Sequence, residues 1–69
     1  MADKVYKKIE VVGTSRMNLE DAIQNAVAKS AKSIRELSWF EVDEIRGRIE
    51  EDNVTQWQVT VRIGFAVDE

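Results

Sequence analysis

Val54-Thr55-Gln56-Trp57-Gln58-Val59-Thr60-Val61-Arg62-Ile63-Gly64-Phe65-Ala66-Val67 is the longest alternating stretch in the chain. Trp57, Val59, Val61, Ile63, Phe65 and Val67 fall on one face, and Gln56, Gln58, Thr60, Arg62, Gly64 and Ala66 on the other. A period of two predicts a strand with one face in a core and one face open. Working back, Glu51-Asp52-Asn53 supplies turn chemistry, so the residues before it form the other arm of a hairpin. That arm starts near Ser38 and changes phase. Phe40 and Val42 are apolar at even positions, whereas Ile45 and Ile49 are apolar at odd ones, which predicts a β-bulge between Val42 and Ile45.

Upstream of the hairpin the pattern becomes helical. Asn18 is a candidate N-cap with Asp21 three residues on, and Leu19, Ile23, Ala26, Val27, Ser30 and Ile34 then recur on one face. Glu20, Gln24, Lys29, Lys32 and Arg35 occupy the opposite face, with the basic residues toward the C-terminal end that the helix dipole favours. Before the helix, Val5, Ile9 and Val11 alternate with Tyr6, Lys8 and Glu10, a first strand expected to stop at Gly13.

The expected architecture is α+β: a β-α-β-β subunit whose three-stranded antiparallel sheet packs on a single helix, in one domain over residues 1–69. A strand rises about 3.3 Å per residue and a helix about 1.5 Å, so the hairpin from Phe40 to Val67 outreaches the helix. Its overhang needs other subunits to cover it, and an assembly larger than a dimer is expected.

Composition narrows the function. With no cysteine and no histidine, disulfides and the usual zinc and haem ligands are excluded. Thirteen acidic against 10 basic residues give a net charge of −3, which argues against wrapping nucleic acid. The chain has no apolar run long enough to span a bilayer, and Met1-Ala2-Asp3-Lys4 lacks the apolar core of a secretory signal. A cytoplasmic protein without membrane contact is expected. A domain of 69 residues leaves much of its surface exposed, so large aromatics on the sheet face it cannot cover call for a partner.

Several segments together resemble the dodecins, small flavin-binding proteins that assemble as hollow dodecamers. They are Val5-Tyr6-Lys7-Lys8-Ile9-Glu10-Val11-Val12-Gly13-Thr14-Ser15, Glu20-Asp21-Ala22, Trp39-Phe40-Glu41-Val42, Arg46-Gly47 with Ile49-Glu50, and Gln58-Val59-Thr60-Val61 leading to Gly64-Phe65. The resemblance covers nearly the whole chain and implies a homododecamer with paired flavins near two-fold contacts. It places Trp39 on the isoalloxazine ring, with two flavins between two copies of Trp39. By the same resemblance Gln58 meets the uracil-like edge, where one amide acceptor and two donors match alternating carbonyl and N–H groups. Arg46 lies near the ligand and its phosphate, where a guanidinium fork suits phosphate oxygens. Ser38, beside the tryptophan, completes the expected flavin-binding set.

The ring contacts are common to FMN, riboflavin, FAD and lumichrome and do not rank them; Arg46 favours FMN over bare riboflavin. Many bacterial relatives carry arginine after the Gly-Phe of the last strand, where this chain has Ala66; some members use that contact for coenzyme A, a possible second ligand here weakened by the substitution. Leu19 and Trp57 also depart from the common pattern, and both read as packing changes.

Without the resemblance, each of these residues has a plainer reading. Trp39 fits a subunit contact, Gln58 a solvated strand position, and Arg46 an ion pair with Glu41 or Glu44. Asp43-Glu44 and Glu50-Glu51-Asp52 read as solvated acidic faces. No nucleophile with an activating base stands out, so an enzyme is not expected. The leading expectation is a protein that stores or buffers flavin and quenches its photochemistry. A structural oligomer without flavin and a small flavin-dependent reductase are the alternatives.

Overall fold

The computed structural model describes residues 3–67; Met1 and Ala2, which entered the reading of the N-terminus, and Asp68 and Glu69 lie outside the described residues. Four elements follow one another: β1 (Tyr6–Ser15), α1 (Leu19–Ala31), β2 (Leu37–Glu50) and β3 (Asn53–Ala66). Strand β3 lies in the middle, paired antiparallel with β1 on one side and β2 on the other. This is the expected β-α-β-β fold.

The long alternation explains the core. Val59, Val61 and Ile63 of β3 are fully buried beneath Ala22 and Ala26 of α1, with Ile9, Val11, Leu19, Ile23, Val27 and Leu37 packed around them. Small residues on the helix let it approach the sheet closely. Asn18 caps α1 as expected: its side-chain oxygen accepts the Asp21 backbone N–H at 2.7 Å. Ser15 joins this end, its hydroxyl donating to the Asp21 carboxylate at 2.7 Å.

Three boundaries differ from expectation. Strand β1 does not stop at Gly13 but continues to Ser15, with Gly13 opposite Val59 in the ladder. Gly13 is there for proximity: a Cβ on it would run into the Ala22 carbonyl oxygen and lie 2.9 Å from the Ala26 Cβ. The helix ends at Ala31, short of Ile34, because the Lys32 and Ser33 amides turn back to the carbonyls three residues earlier, Lys29 and Ser30. In the hairpin, Glu51 and Asp52 alone form the turn, both with positive φ (50° and 69°), and Asn53 already belongs to β3. Positive φ at both central residues matches the twist of the flanking strands.

The expected bulge is present, with Asp43 as the extra residue between Val42, opposite Val61, and Glu44, opposite Thr60. Val42 and Ile45 consequently both face the helix side, which accounts for the change of phase. That side of β2 is nevertheless bare, because α1 packs on β1 and β3. Phe40, Val42 and Ile45 are exposed, as are Ile49 and Val54 toward the hairpin tip. With extents of 55 × 20 × 14 Å, the subunit is far longer than its 13-residue helix, and the hairpin overhangs as expected.

Candidate functional site

The open face of the sheet carries the polar half of the β3 alternation and whatever β2 aligns with it. A second irregularity, at Ser38, decides where Trp39 goes. Leu37 pairs with Phe65 and packs on the core, whereas Trp39, two residues later, pairs with Gly64 on the open face. An uninterrupted strand would put both on the same face; the inserted residue turns the tryptophan over. The Ser38 hydroxyl donates to the Glu36 carbonyl at 3.0 Å, and Glu36 itself has φ 64°, so this corner is built locally.

Gly64 then fixes how the indole lies. A Cβ on Gly64 would fall 2.5 Å from both Cε2 and Cη2 of Trp39 and would touch Cζ2 between them. A point nearly equidistant from three successive ring atoms lies over the ring face, so the indole rests flat on the bare backbone of β3. Tyr6, opposite Ala66 on β1, closes one side with ring centroids 5.7 Å apart and planes at 56°. Trp39 keeps 39% of its surface exposed, and its outer face is open. Gly64→Ala is expected to lift the indole off the sheet at a cost of about 1–3 kcal/mol. Near-ultraviolet circular dichroism would register the displaced Trp39–Tyr6 pair while the far-ultraviolet spectrum stays as in the parent; an unchanged near-ultraviolet signal would contradict this placement.

The second group lies farther along the sheet. Gln58 and Arg46 are cross-strand partners, and Arg46 Nε donates to Gln58 Oε1 at 3.1 Å. Gln58 Nε2 donates to Gln56 Oε1 at 2.8 Å, and an Arg46 terminal nitrogen donates to Glu44 Oε1 at 3.1 Å. Of the two ion-pair partners considered for Arg46, it takes Glu44, while Glu41 pairs with Lys8 at 2.9 Å. Arg62 approaches Asp43 at 3.7 Å. These side chains are all roughly half exposed, so each pair contributes little to stability.

The four candidate residues thus form two groups. Ser38 and Trp39 sit at one end, and Arg46 and Gln58 at the other. Trp39 stands opposite Gly64, six residues along β3 from Gln58, or roughly 20 Å at strand spacing. One planar ligand does not reach both within a subunit. The cavity of about 150 Å³ lined by Val27, Leu37, Ser38, Trp39, Phe40 and Ile63 lies on the helix side of the sheet, away from the open face of the indole. A ligand that met both groups would need a second copy of the chain. Among the described residues, no group of three or more acidic side chains is placed to hold a metal ion, and no helix is long and apolar enough to cross a membrane.

Gly64, Tyr6 and Gln56 were not singled out by sequence reasoning as parts of the site. Gly64 is an apolar gap in the polar half of the alternation, a pattern that marks close approach by another group. Counting straight back from the turn would have set Arg46 opposite Trp57; an extra residue, Thr55, between Val54 opposite Ile49 and Gln56 opposite Arg48 moves its partner to Gln58.

A β-α-β-β subunit with an upturned tryptophan on its open sheet face and a polar cluster farther along defines the α+β class of the chain, and comparison with known proteins gives the family. The Dodecin family profile matches residues 5–68. A curated dodecin from Thermus thermophilus is 54% identical over 66 residues, 96% of each chain. A solved Thermus thermophilus structure superposes with a TM-score of 0.92 at 54% identity, over 97% of this chain and 98% of that one. Dodecin from Streptomyces coelicolor superposes with a TM-score of 0.93 at 42% identity, covering 100% and 99% of the two chains. The Streptomyces davaonensis dodecin gives 0.92 at 35%, covering 99% and 100%. The chain belongs to the dodecin family.

Proposed function

We propose that this protein binds flavin in the cytoplasm without catalysing a reaction, sequestering it as stacked pairs between Trp39 side chains of neighbouring subunits in a homododecamer. The observation that carries the reading is the open outer face of the Trp39 indole, held flat on β3 by the absence of a side chain at Gly64. That face is broad, polarizable and on the side of the sheet that also bears Gln58 and Arg46. Family membership and the uncovered apolar side chains of β2 support assembly.

The residues fit a flavin. An indole stacked on a flat ring contributes about 0.5–1.5 kcal/mol beyond area burial. Gln58 retains one acceptor lone pair on Oε1 and one N–H on Nε2 after its contacts to Arg46 and Gln56, a complement for a ring N–H beside a carbonyl. Arg46 retains further N–H groups beyond those on Gln58 and Glu44, which suits a phosphate and favours FMN over riboflavin. The bound flavin supplies a photoexcitable ring. Trp39, stacked on that ring, would be the electron donor that quenches its excited state, with the electron returned and no net oxidation.

Fluorescence titration tests the reading. Riboflavin and FMN emission should fall saturably as protein is added, with FMN bound more tightly. Emission that stays at the free-flavin level at high protein concentration would leave Trp39 an assembly residue.

A further inference from the structure

We infer that Arg46 and Gln56 are positioning residues that set the orientation of the Gln58 amide, and so make the site selective for a ring with a free imide N–H. The inference rests on the flavin reading above and assigns a specificity to it.

A primary amide has two ends of similar shape and opposite hydrogen-bonding character. An exposed glutamine on a strand rotates freely and presents either end. Gln58 has no such freedom. The group facing its Oε1 is Arg46 Nε, at 3.1 Å, and a guanidinium carries donors and no acceptor. Turning the amide over would set N–H against N–H at this contact. At the other end Gln58 Nε2 donates at 2.8 Å to Gln56 Oε1, two residues along the same face of β3, which adds to the restraint that the donor-only guanidinium sets. Arg46 is in turn braced by Glu44 at 3.1 Å. The four side chains form one row in which Arg46 donates outward on both sides, to Glu44 and to Gln58, and Gln58 passes the direction on by donating to Gln56.

The row leaves Gln58 one acceptor and one donor for a ligand, on fixed ends of the amide. An imide edge offers an N–H for the acceptor and a carbonyl for the donor. A ring alkylated on that nitrogen loses the first contact. This role of Arg46 differs from phosphate binding, because it applies equally to a flavin that has no phosphate.

Riboflavin and N3-methylriboflavin separate the possibilities, with emission quenching by the assembled protein as readout. The parent protein should bind riboflavin about five- to tenfold more tightly than the N3-methyl form, the worth of one net hydrogen bond. Arg46→Met and Gln56→Leu should each weaken riboflavin toward the N3-methyl value and bring the ratio toward unity. Gln56→Glu keeps an acceptor for Gln58 Nε2 and should restore it. N3-methylriboflavin should bind Gln56→Leu as it binds the parent, which shows that stacking and assembly survive that change. A parent protein that quenches riboflavin yet does not discriminate, or a ratio unchanged by both Arg46→Met and Gln56→Leu, would overturn the inference and leave flavin binding standing. Absence of riboflavin quenching by the parent would instead remove the flavin reading itself.

Discussion

Trp39→Ala is expected to abolish flavin quenching while leaving the subunit fold intact. The indole contributes in two ways, and both depend on how it lies. Resting on Gly64 with its outer face open, it offers one broad surface to a planar ligand. Burying about half of an aromatic's 150–250 Å², together with the stacking contribution, comes to roughly 3 kcal/mol, or more than a hundredfold in affinity. It is also the electron donor, so whatever flavin still binds should emit. Little stability is at stake, because the side chain covers a bare face outside the core of Val59, Val61 and Ile63. Trp39→Phe should separate the two contributions, retaining part of the affinity and losing most of the quenching. If Trp39→Ala binds and quenches like the parent, the ligand sits elsewhere.

The second large effect falls on the fold. Gly13→Ala places a methyl group against the Ala22 carbonyl and the Ala26 Cβ, where neither obstacle is a flexible side-chain end. The helix must move off the sheet, uncovering Val59 and Val61. Over-packing against backbone belongs at the upper end of the usual range, about 3 kcal/mol, in a domain whose whole stability is of order 3–10 kcal/mol. The thermal midpoint should drop by about 15 °C, whereas Thr14→Ala, an exposed neighbour on the open face, should shift it little. Equal midpoints for Gly13→Ala and the parent would show that the helix has slack at this contact.

The two glycines also mark the limit of what the sequence reveals. A glycine after an alternating run reads as a stop, as Gly13 does; in the fold it permits close helix packing and the strand runs on to Ser15. At Gly13 the close approach of α1 leaves no trace in the local pattern, whereas at Gly64 the gap in the polar alternation does. The bulge at Asp43 was legible because it shifts the apolar phase between Val42 and Ile45. The one at Ser38 was not, since Leu37, Trp39 and Phe40 are all apolar and any phase fits them. Asn18 was readable as a cap because its partner lies three residues away. The row from Glu44 to Gln56 was hidden because cross-strand partners depend on register, and register here depends on the bulges.

The site has the same division. Trp39, Gln58, Arg46 and Ser38 came from resemblance to the dodecins, and what each touches came from geometry. Ser38 builds the corner that turns Trp39 over, and Arg46 orients Gln58. The separation of Trp39 from Gln58 along the sheet means that the proposed ligand would be shared between copies of the chain, one giving the stacking surface and another the amide.

The most direct test is a crystal structure of the assembled protein with riboflavin bound. The account predicts the ring on the open face of Trp39, with its imide edge on Gln58 of a different subunit and a second flavin against its other face. A protein side chain packed on that face of Trp39, with no flavin there, would contradict it.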